Sequence, residues 1–207
     1  MTPGAAPISI LIAEDQRMMR SALVSLLELE DDMTVVADVG RGDEVVQAAR
    51  HAHPNVVLLD IEMPGRSGLD LIAELMREVP GCAVIVVTTF GRPGYLRRAM
   101  EAGARGFLVK DDPVEELAGA IRRVLAGEVI VNPRLAAQAL SSAANPLTER
   151  EREVLAASAN GATISDIAQA LHLSHSTVRN YLSSAIGKTA TRNRGEALSR
   201  ARDEGWL

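Results

Sequence analysis

The sequence predicts two domains of different class: a doubly wound α/β domain with a five-stranded parallel sheet, then a small all-α domain. Three observations carry that reading. Residues up to about 127 alternate short β-rich apolar runs with longer amphipathic segments. Five such repeats of strand then helix require parallel strands joined by crossover helices. The runs Val56-Val57-Leu58-Leu59 and Val84-Ile85-Val86-Val87 are apolar on both strand faces, as expected where helices cover both sides of a sheet. From Leu147 onward no strand pattern recurs and only short helical patterns remain.

Taken in order, the candidate strands are Ile8–Ala13, Thr34–Val39, Asn55–Leu59, Ala83–Thr88 and Gly106–Val109. Amphipathic segments at Gln16–Leu29, Asp43–Ala52, Gly68–Val79 and Tyr95–Ala102 separate them, and Val114–Ala126 follows the last. The next stretch holds Gly127, Asn132-Pro133 and small residues from Ala136 to Ala144. It reads as a linker carrying one short helix after Pro133. The expected organisation is therefore residues 1–127, a linker over 128–144, and a helical domain over 145–207. Helices in that last domain are expected at Glu149–Asn160, Ile164–Leu171, His175–Lys188 and Arg194–Glu204. Thr148-Glu149-Arg150-Glu151 and Thr163-Ile164-Ser165-Asp166 have the form of capping boxes opening the first two.

Composition narrows the class further. Hydrophobic residues make up 47% of the 207 and aromatics only 2%, so the cores must be aliphatic. The single cysteine, Cys82, borders an apolar run and reads as a small buried hydrophobe. No disulfide can form within the chain, which fits a reducing compartment. The first residues lack the pattern of a signal peptide, and no apolar run approaches the roughly 20 residues of a membrane span. A cytoplasmic protein without membrane insertion is expected. Residues 1–144 carry 14 Lys and Arg against 20 Asp and Glu, residues 145–207 carry 8 against 7. That balance argues against nonspecific coating of nucleic acid, yet a few well-placed arginines suffice for a small DNA reader.

The chemistry gathers at the carboxyl ends of the strands, where open α/β sheets place their functional crevice. Glu14 and Asp15 follow the first strand, Asp60 the third, Thr88 ends the fourth and Lys110 follows the fifth. Clustered carboxylates repel, so the pocket calls for a cation, and hard oxygen ligands suit Mg²⁺. A phosphoryl group on Asp60 would meet Mg²⁺ and the Lys110 ammonium, with the Thr88 hydroxyl bonding an oxygen. Any one of these residues could merely end a strand on a soluble surface. Five on one rim argue for a site.

These residues, with Met63-Pro64-Gly65 after Asp60, resemble the receiver domains of two-component response regulators, a flavodoxin- or CheY-like fold with strand order 2-1-3-4-5. The resemblance implies that a sensor histidine kinase phosphorylates Asp60. It also implies that Mg²⁺ binds Glu14, Asp15, Asp60 and the backbone carbonyl of Glu62. Phe107, otherwise a core residue, matches the aromatic switch that turns inward as Thr88 is drawn to the phosphate. Glu62 and Phe90, two residues beyond Asp60 and Thr88, flank the phosphate position, where they either tune hydrolysis or simply face solvent and pack. Lys110 is followed by Asp111-Asp112-Pro113 rather than directly by proline, so a cis peptide there is not expected. Pro113 instead opens the last helix, a pattern similar to the NarL/FixJ subfamily.

In the second domain, Ile164–Leu171, the turn His172-Leu173-Ser174 and a helix from His175 are spaced as a helix-turn-helix. Val178, Leu182 and Ile186 form a buried stripe, leaving Arg179, Asn180 and Ser183 outward near the helix N-terminus, the part that meets base edges. Spacing alone leaves open a plain bundle with charges facing water. The run Leu147-Thr148-x-Arg150-Glu151 through Thr177-Val178-Arg179-Asn180, continued by Lys188 and Arg194-Gly195-Glu196-Ala197, resembles the LuxR-type helix-turn-helix and decides between them. It implies double-stranded promoter DNA as partner, with Thr177, Arg179 and Asn180 as contacts and Ser183 and Lys188 further out. Thr189 stands where the family has leucine, which is expected to loosen the last helix slightly. His172 and His175 lack the partners of a zinc site and are expected at the surface or on phosphates.

Joined, the halves imply a phosphorylation-dependent homodimer that engages two half-sites. Met18, Met19, Leu23 and Leu26, with Val114, Leu117, Ile121 and Leu125, are candidates for the pairing face, although most belong to the core. Within the family, Ile12 to Gln16, Asp60 to Gly65 and Thr88 to Tyr95 are most similar to the DesR-type subgroup, which answers a membrane-sensing kinase and controls lipid desaturation. Two rivals are weaker. A haloacid-dehalogenase-type enzyme needs a second Asp where Glu62 stands, and a phosphorylation-independent DNA binder with a vestigial receiver would not keep all five pocket residues.

Overall fold

The computed structural model describes residues 6–89, 91–111, 115–141 and 145–207. Phe90, Pro113 and Val114, invoked above, lie outside the described residues. Two compact units make up the chain, residues 1–91 with 96–136 and residues 92–95 with 137–207. Among the described residues no helix is long and apolar enough to cross a membrane.

Strand and helix alternate from β1 to β6: β1 (Ile8–Ala13), α1 (Arg17–Leu27), β2 (Met33–Val39), α2 (Gly42–Ala52), β3 (Val56–Leu59), α3 (Gly68–Glu78), β4 (Ala83–Thr88), α4 (Pro93–Glu101), β5 (Gly106–Val109), α5 (Glu115–Leu125) and β6 (Ile130–Val131). The sheet is parallel throughout, in the order β2-β1-β3-β4-β5-β6. It thus has one strand more than the five expected. β6 lies in the stretch read as linker and pairs with Gly106 and Phe107 of β5. Two residues are too few to show a period in sequence, yet they cover part of an edge that would otherwise offer unpaired backbone groups. At the opposite edge, Ile10 pairs with Val35 and Leu11 with Ala37. Val36 is left over as a bulge residue.

Alternation sorts the inner strands onto two faces. Ile10, Ile12, Val56, Leu58 and Ile85 pack with Leu23 and Leu27 of α1 and with Leu117, Ile121 and Val124 of α5. Leu11, Val57 and Leu59 point to the other side and are fully buried, as are Val45 and Ala49 of α2 and Leu71, Ile72 and Leu75 of α3. Each such side chain contributes about 1.5–3 kcal/mol by leaving water, and together they hold the strand ends in register. Close packing is evident at Gly68, which opens α3. A Cβ there would stand 2.0 Å from the backbone oxygen of Asp60.

A short helix, α6 (Pro133–Ser141), follows β6, as expected after Pro133. The second unit then holds α7 (Glu149–Ala157), α8 (Ile164–Leu171), α9 (His175–Lys188) and α10 (Arg194–Asp203). α7 is shorter than expected because a 3-10 turn, Ala159–Gly161, ends it and Gly161 takes φ 77°. Val154, Leu155, Ile167, Val178, Leu182, Ala185, Ala197, Ala201 and Trp206 form its core. Both expected capping boxes are present, on Thr148 and Thr163. The first does more than cap. Glu151 is buried, accepts the Thr148 N–H at 2.7 Å, and also accepts Ser184 Oγ at 2.6 Å and Lys188 Nζ at 2.8 Å. α7 is thereby tied to α9. Burial pushes the Glu151 carboxyl up, but the Lys188, Ser184 and Thr148 donors outweigh it and hold the group down at about 2. Thr189 is buried as well, its hydroxyl donating to the Ala185 carbonyl at 2.8 Å, so the polar replacement is satisfied inside the helix end.

Three outcomes are expected. Trp206, the only tryptophan in the chain, reports unfolding of the second unit, and urea titrations followed by its fluorescence should show E151A less stable by about 1–3 kcal/mol, the cost of stripping the partners of a buried carboxylate whose lysine is itself 37% exposed. Because the folded value of Glu151 lies below the unfolded one, its contribution is present above about pH 4.5 and disappears as pH falls toward 2. E151Q should flatten that acid limb. In the first unit, G68A should lower the calorimetric Tm by the equivalent of about 1–3 kcal/mol through overpacking against Asp60.

Candidate functional site

The carboxyl ends of β1, β3, β4 and β5 share one rim, and five side chains meet there because each follows or ends a buried strand. Glu14, after β1, is 2% exposed and Asp60, after β3, is 4% exposed. One carboxylate oxygen from each of Glu14, Asp15 and Asp60 lies within 4.8 Å of the others. Lys110 follows β5, and its Nζ lies 2.6 Å from Glu14 Oε2 and 2.8 Å from Asp60 Oδ2. Between β3 and β5 runs β4, so the lysine bridges two strand spacings, roughly 9–10 Å. Thr88, which ends β4, is fully buried, and its carbonyl accepts the Lys110 N–H at 2.8 Å.

Backbone donors aim the carboxylates. Asp60 Oδ1 accepts the Ile61 N–H at 2.7 Å, and Glu14 Oε1 accepts the Gln16 N–H at 3.1 Å. Burial pushes the Glu14 carboxyl above its ordinary value, against the lowering pull of Lys110. For Lys110, burial works the other way, yet its hydrogen bonds to Asp60 and Glu14 prevail and hold the ammonium above its usual value. Lys110 therefore stays charged, and three carboxylates face one ammonium. The remaining negative charge, presented by hard oxygens, is compatible with a divalent cation.

Sequence reasoning did not single out Arg20. This side chain of α1 donates to the Glu14 carbonyl through Nη1 at 2.6 Å and to Asp38 Oδ2 through Nε at 2.8 Å. The available signal was its spacing, one turn after Gln16 on the helix that follows the acidic pair. Phe107 is fully buried in β5, opposite Val86 of β4. Glu62 is exposed, and its N–H lies 3.4 Å from Asp60 Oδ1.

In the second unit, α8 ends with His172 in the left-handed conformation at φ 53°, and the Leu173 N–H returns to the Ala168 carbonyl. Ser174 then caps α9 by accepting the Thr177 N–H at 3.1 Å. This turn sets α9 across α8 with Val178 and Leu182 buried, leaving Arg179, Asn180 and Ser183 exposed. Thr177 is half-buried, its hydroxyl 2.7 Å from that of Ser174. Lys188 is exposed, and its ammonium also engages the buried Glu151. Any contact of Lys188 with DNA must be shared with that pair.

Comparison with known proteins agrees with both halves. Residues 10–122 match the family described as response regulator receiver domain, and residues 145–201 match bacterial regulatory proteins, luxR family. Transcriptional regulatory protein DesR of Bacillus subtilis is 49% identical over 200 residues, covering 97% of this chain and 99% of DesR. The uncharacterized transcriptional regulatory protein YvfU of the same organism is 48% identical, covering 97% of this chain and all of YvfU. Among solved structures, a LuxR-family DNA-binding response regulator from Staphylococcus aureus is 41% identical with a TM-score of 0.55, covering 57% of this chain and 98% of that one. With an acidic strand-end pocket held by a lysine in the first unit, a helix-turn-helix in the second and relatives matching nearly end to end, this chain belongs to the two-component response regulators with a LuxR-family DNA-binding domain.

Proposed function

We propose that Asp60 accepts a phosphoryl group from a sensor histidine kinase and that this modification favours a dimer which binds promoter DNA. The observation that carries the proposal is the Lys110 ammonium held 2.8 Å from a buried Asp60 at the end of β3. In the transfer, an Asp60 oxygen attacks phosphorus. The new O–P bond forms as the P–N bond of phosphohistidine breaks, and the imidazole leaves with the electron pair. Lys110 then follows the added charge onto a phosphoryl oxygen, and Thr88 donates its hydroxyl to another. Glu14, Asp15, Asp60 and the Glu62 carbonyl would hold Mg²⁺, which supplies positive charge to the phosphoryl oxygens. Movement of Thr88 opens space for Phe107 to reorient, the two-state element that passes the change onward.

Self-association is supported by what the core leaves uncovered. Leu23, Leu117 and Ile121 are consumed by the core, whereas Met18 of α1 is 86% exposed and Leu125 of α5 is 38% exposed. Two helix-turn-helix domains held together gain affinity through effective concentration. On DNA, Thr177, Arg179 and Asn180 face base edges, Arg suiting guanine and Asn suiting adenine, with Ser183 and Lys188 toward the periphery. The similarity to DesR-type regulators points to membrane-lipid desaturation as the controlled pathway.

Acetyl phosphate should label the wild type at one aspartate, and D60A should take up no label in intact-mass spectra. Beryllofluoride should raise the mass seen by light scattering and the affinity for promoter DNA in the wild type alone. DNA binding by the unmodified wild type and D60A that equals the beryllofluoride state would instead favour a receiver without a phosphorylation role. R179A and N180A should each cost about 1–3 kcal/mol of discrimination between target and mutated sites, read from competition binding, with phosphorylation unaffected.

A further inference from the structure

Arg20 takes no part in the chemistry above, yet its guanidinium occupies a constrained place. The head group reaches back from the first turn of α1 to the strand ends. Nη1 donates to the carbonyl of Glu14 at 2.6 Å, and Nε donates to Asp38 of β2 at 2.8 Å. Its side chain is 20% exposed. A Cβ built on Gly40 would come within 2.9 Å of Nη1, so the backbone after β2 also closes on it. From the other side, the Glu14 N–H donates to the Val39 carbonyl at 3.0 Å. Both backbone groups of Glu14 are thus held, one by β2 and one by an arginine that β2 anchors. From that held backbone the Glu14 carboxylate reaches Lys110 at 2.6 Å and lies within 4.8 Å of an Asp60 oxygen, and Asp15 follows on the same peptide.

We propose that Arg20 is a positioning residue for the acidic pocket: anchored by Asp38, it fixes the Glu14-Asp15 backbone so that both carboxylates converge with Asp60 on a divalent cation. The inference rests on the metal reading given under Proposed function. Groups that orient metal ligands without touching the metal commonly govern affinity by roughly 10–100-fold. A charge-assisted hydrogen bond to a ligand's own carbonyl is of that kind.

Isothermal titration of Mg²⁺ into the full-length chain tests it, with R20A, D38N and R122A compared to wild type. Arg122 makes an equally good surface ion-pair cluster, to Glu30 and Asp32, away from the pocket. It therefore serves as a control for general loosening. R20A is expected to weaken Mg²⁺ binding roughly tenfold, D38N by less in the same direction, and R122A not at all. Acetyl phosphate labelling of R20A should recover near the wild-type rate at saturating Mg²⁺, because the phosphoacceptor and Lys110 are untouched. Should R20A fail to fold, the D38N titration decides, since it keeps the guanidinium but removes the charge of the group that anchors it. Unchanged affinity in a folded R20A, or in D38N if that variant must decide, overturns the inference. So does an equal loss in R122A. Absence of Mg²⁺ binding by the wild type overturns instead the metal reading beneath it.

Discussion

A single ammonium set between two buried carboxylates is the constraint on which the first unit turns. Lys110, Glu14 and Asp60 are all nearly inaccessible to solvent, and charges removed from water are tolerated only when closely paired. The sheet must therefore deliver three strand ends to within hydrogen-bonding distance, which explains why the inner strands are apolar on both faces and packed without slack. Lysine suits the position because its long, flexible stem crosses the end of β4 and can release one oxygen to take another. An arginine fork would instead fix one planar, bidentate geometry.

The second unit uses a related pair to a different end. Glu151 and Lys188 also bring opposite charges together, but Glu151 has its remaining capacity filled by Ser184 and Thr148. Nothing there is poised to be exchanged. The pair locks α7 to α9, so the helix that carries Arg179 and Asn180 is presented from a rigid support. The chain thus holds one ion-pair cluster at the acidic rim of the sheet and another, filled by further donors, within the helix-turn-helix domain.

Much of this was legible in the sequence because parallel sheets advertise themselves. Strands Ile8–Ala13, Ala83–Thr88 and Gly106–Val109 begin and end where the apolar runs do, and the functional residues are simply the first polar ones after such runs. Capping residues likewise marked the starts of α7 and α8. What escaped notice depends on partners distant in sequence. β6 is two residues whose meaning comes from β5. The Glu151–Lys188 pair spans 37 positions, and the Arg20–Asp38 pair exists only once α1 has packed beside β2. Lys188 read only as an outer DNA contact because periodicity reports which way a side chain points and says nothing of a partner arriving from another helix.

The bulge at Val36 has a consequence for how such a domain can vary. Ahead of it, Met33 and Val35 share the face of Ile8 and Ile10, and beyond it Asp38 is paired with Ile12 on that same face. In an uninterrupted ladder the odd–even count would put Ala37 opposite Ile12 and turn Asp38 to the far side of the sheet, away from α1. The carboxylate that meets Arg20 is therefore selected by a surplus residue at an exposed edge, not by its own identity. For this strand, a one-residue deletion is a larger event than most substitutions, and an alignment that slides a gap across it would exchange the two faces without altering a single letter.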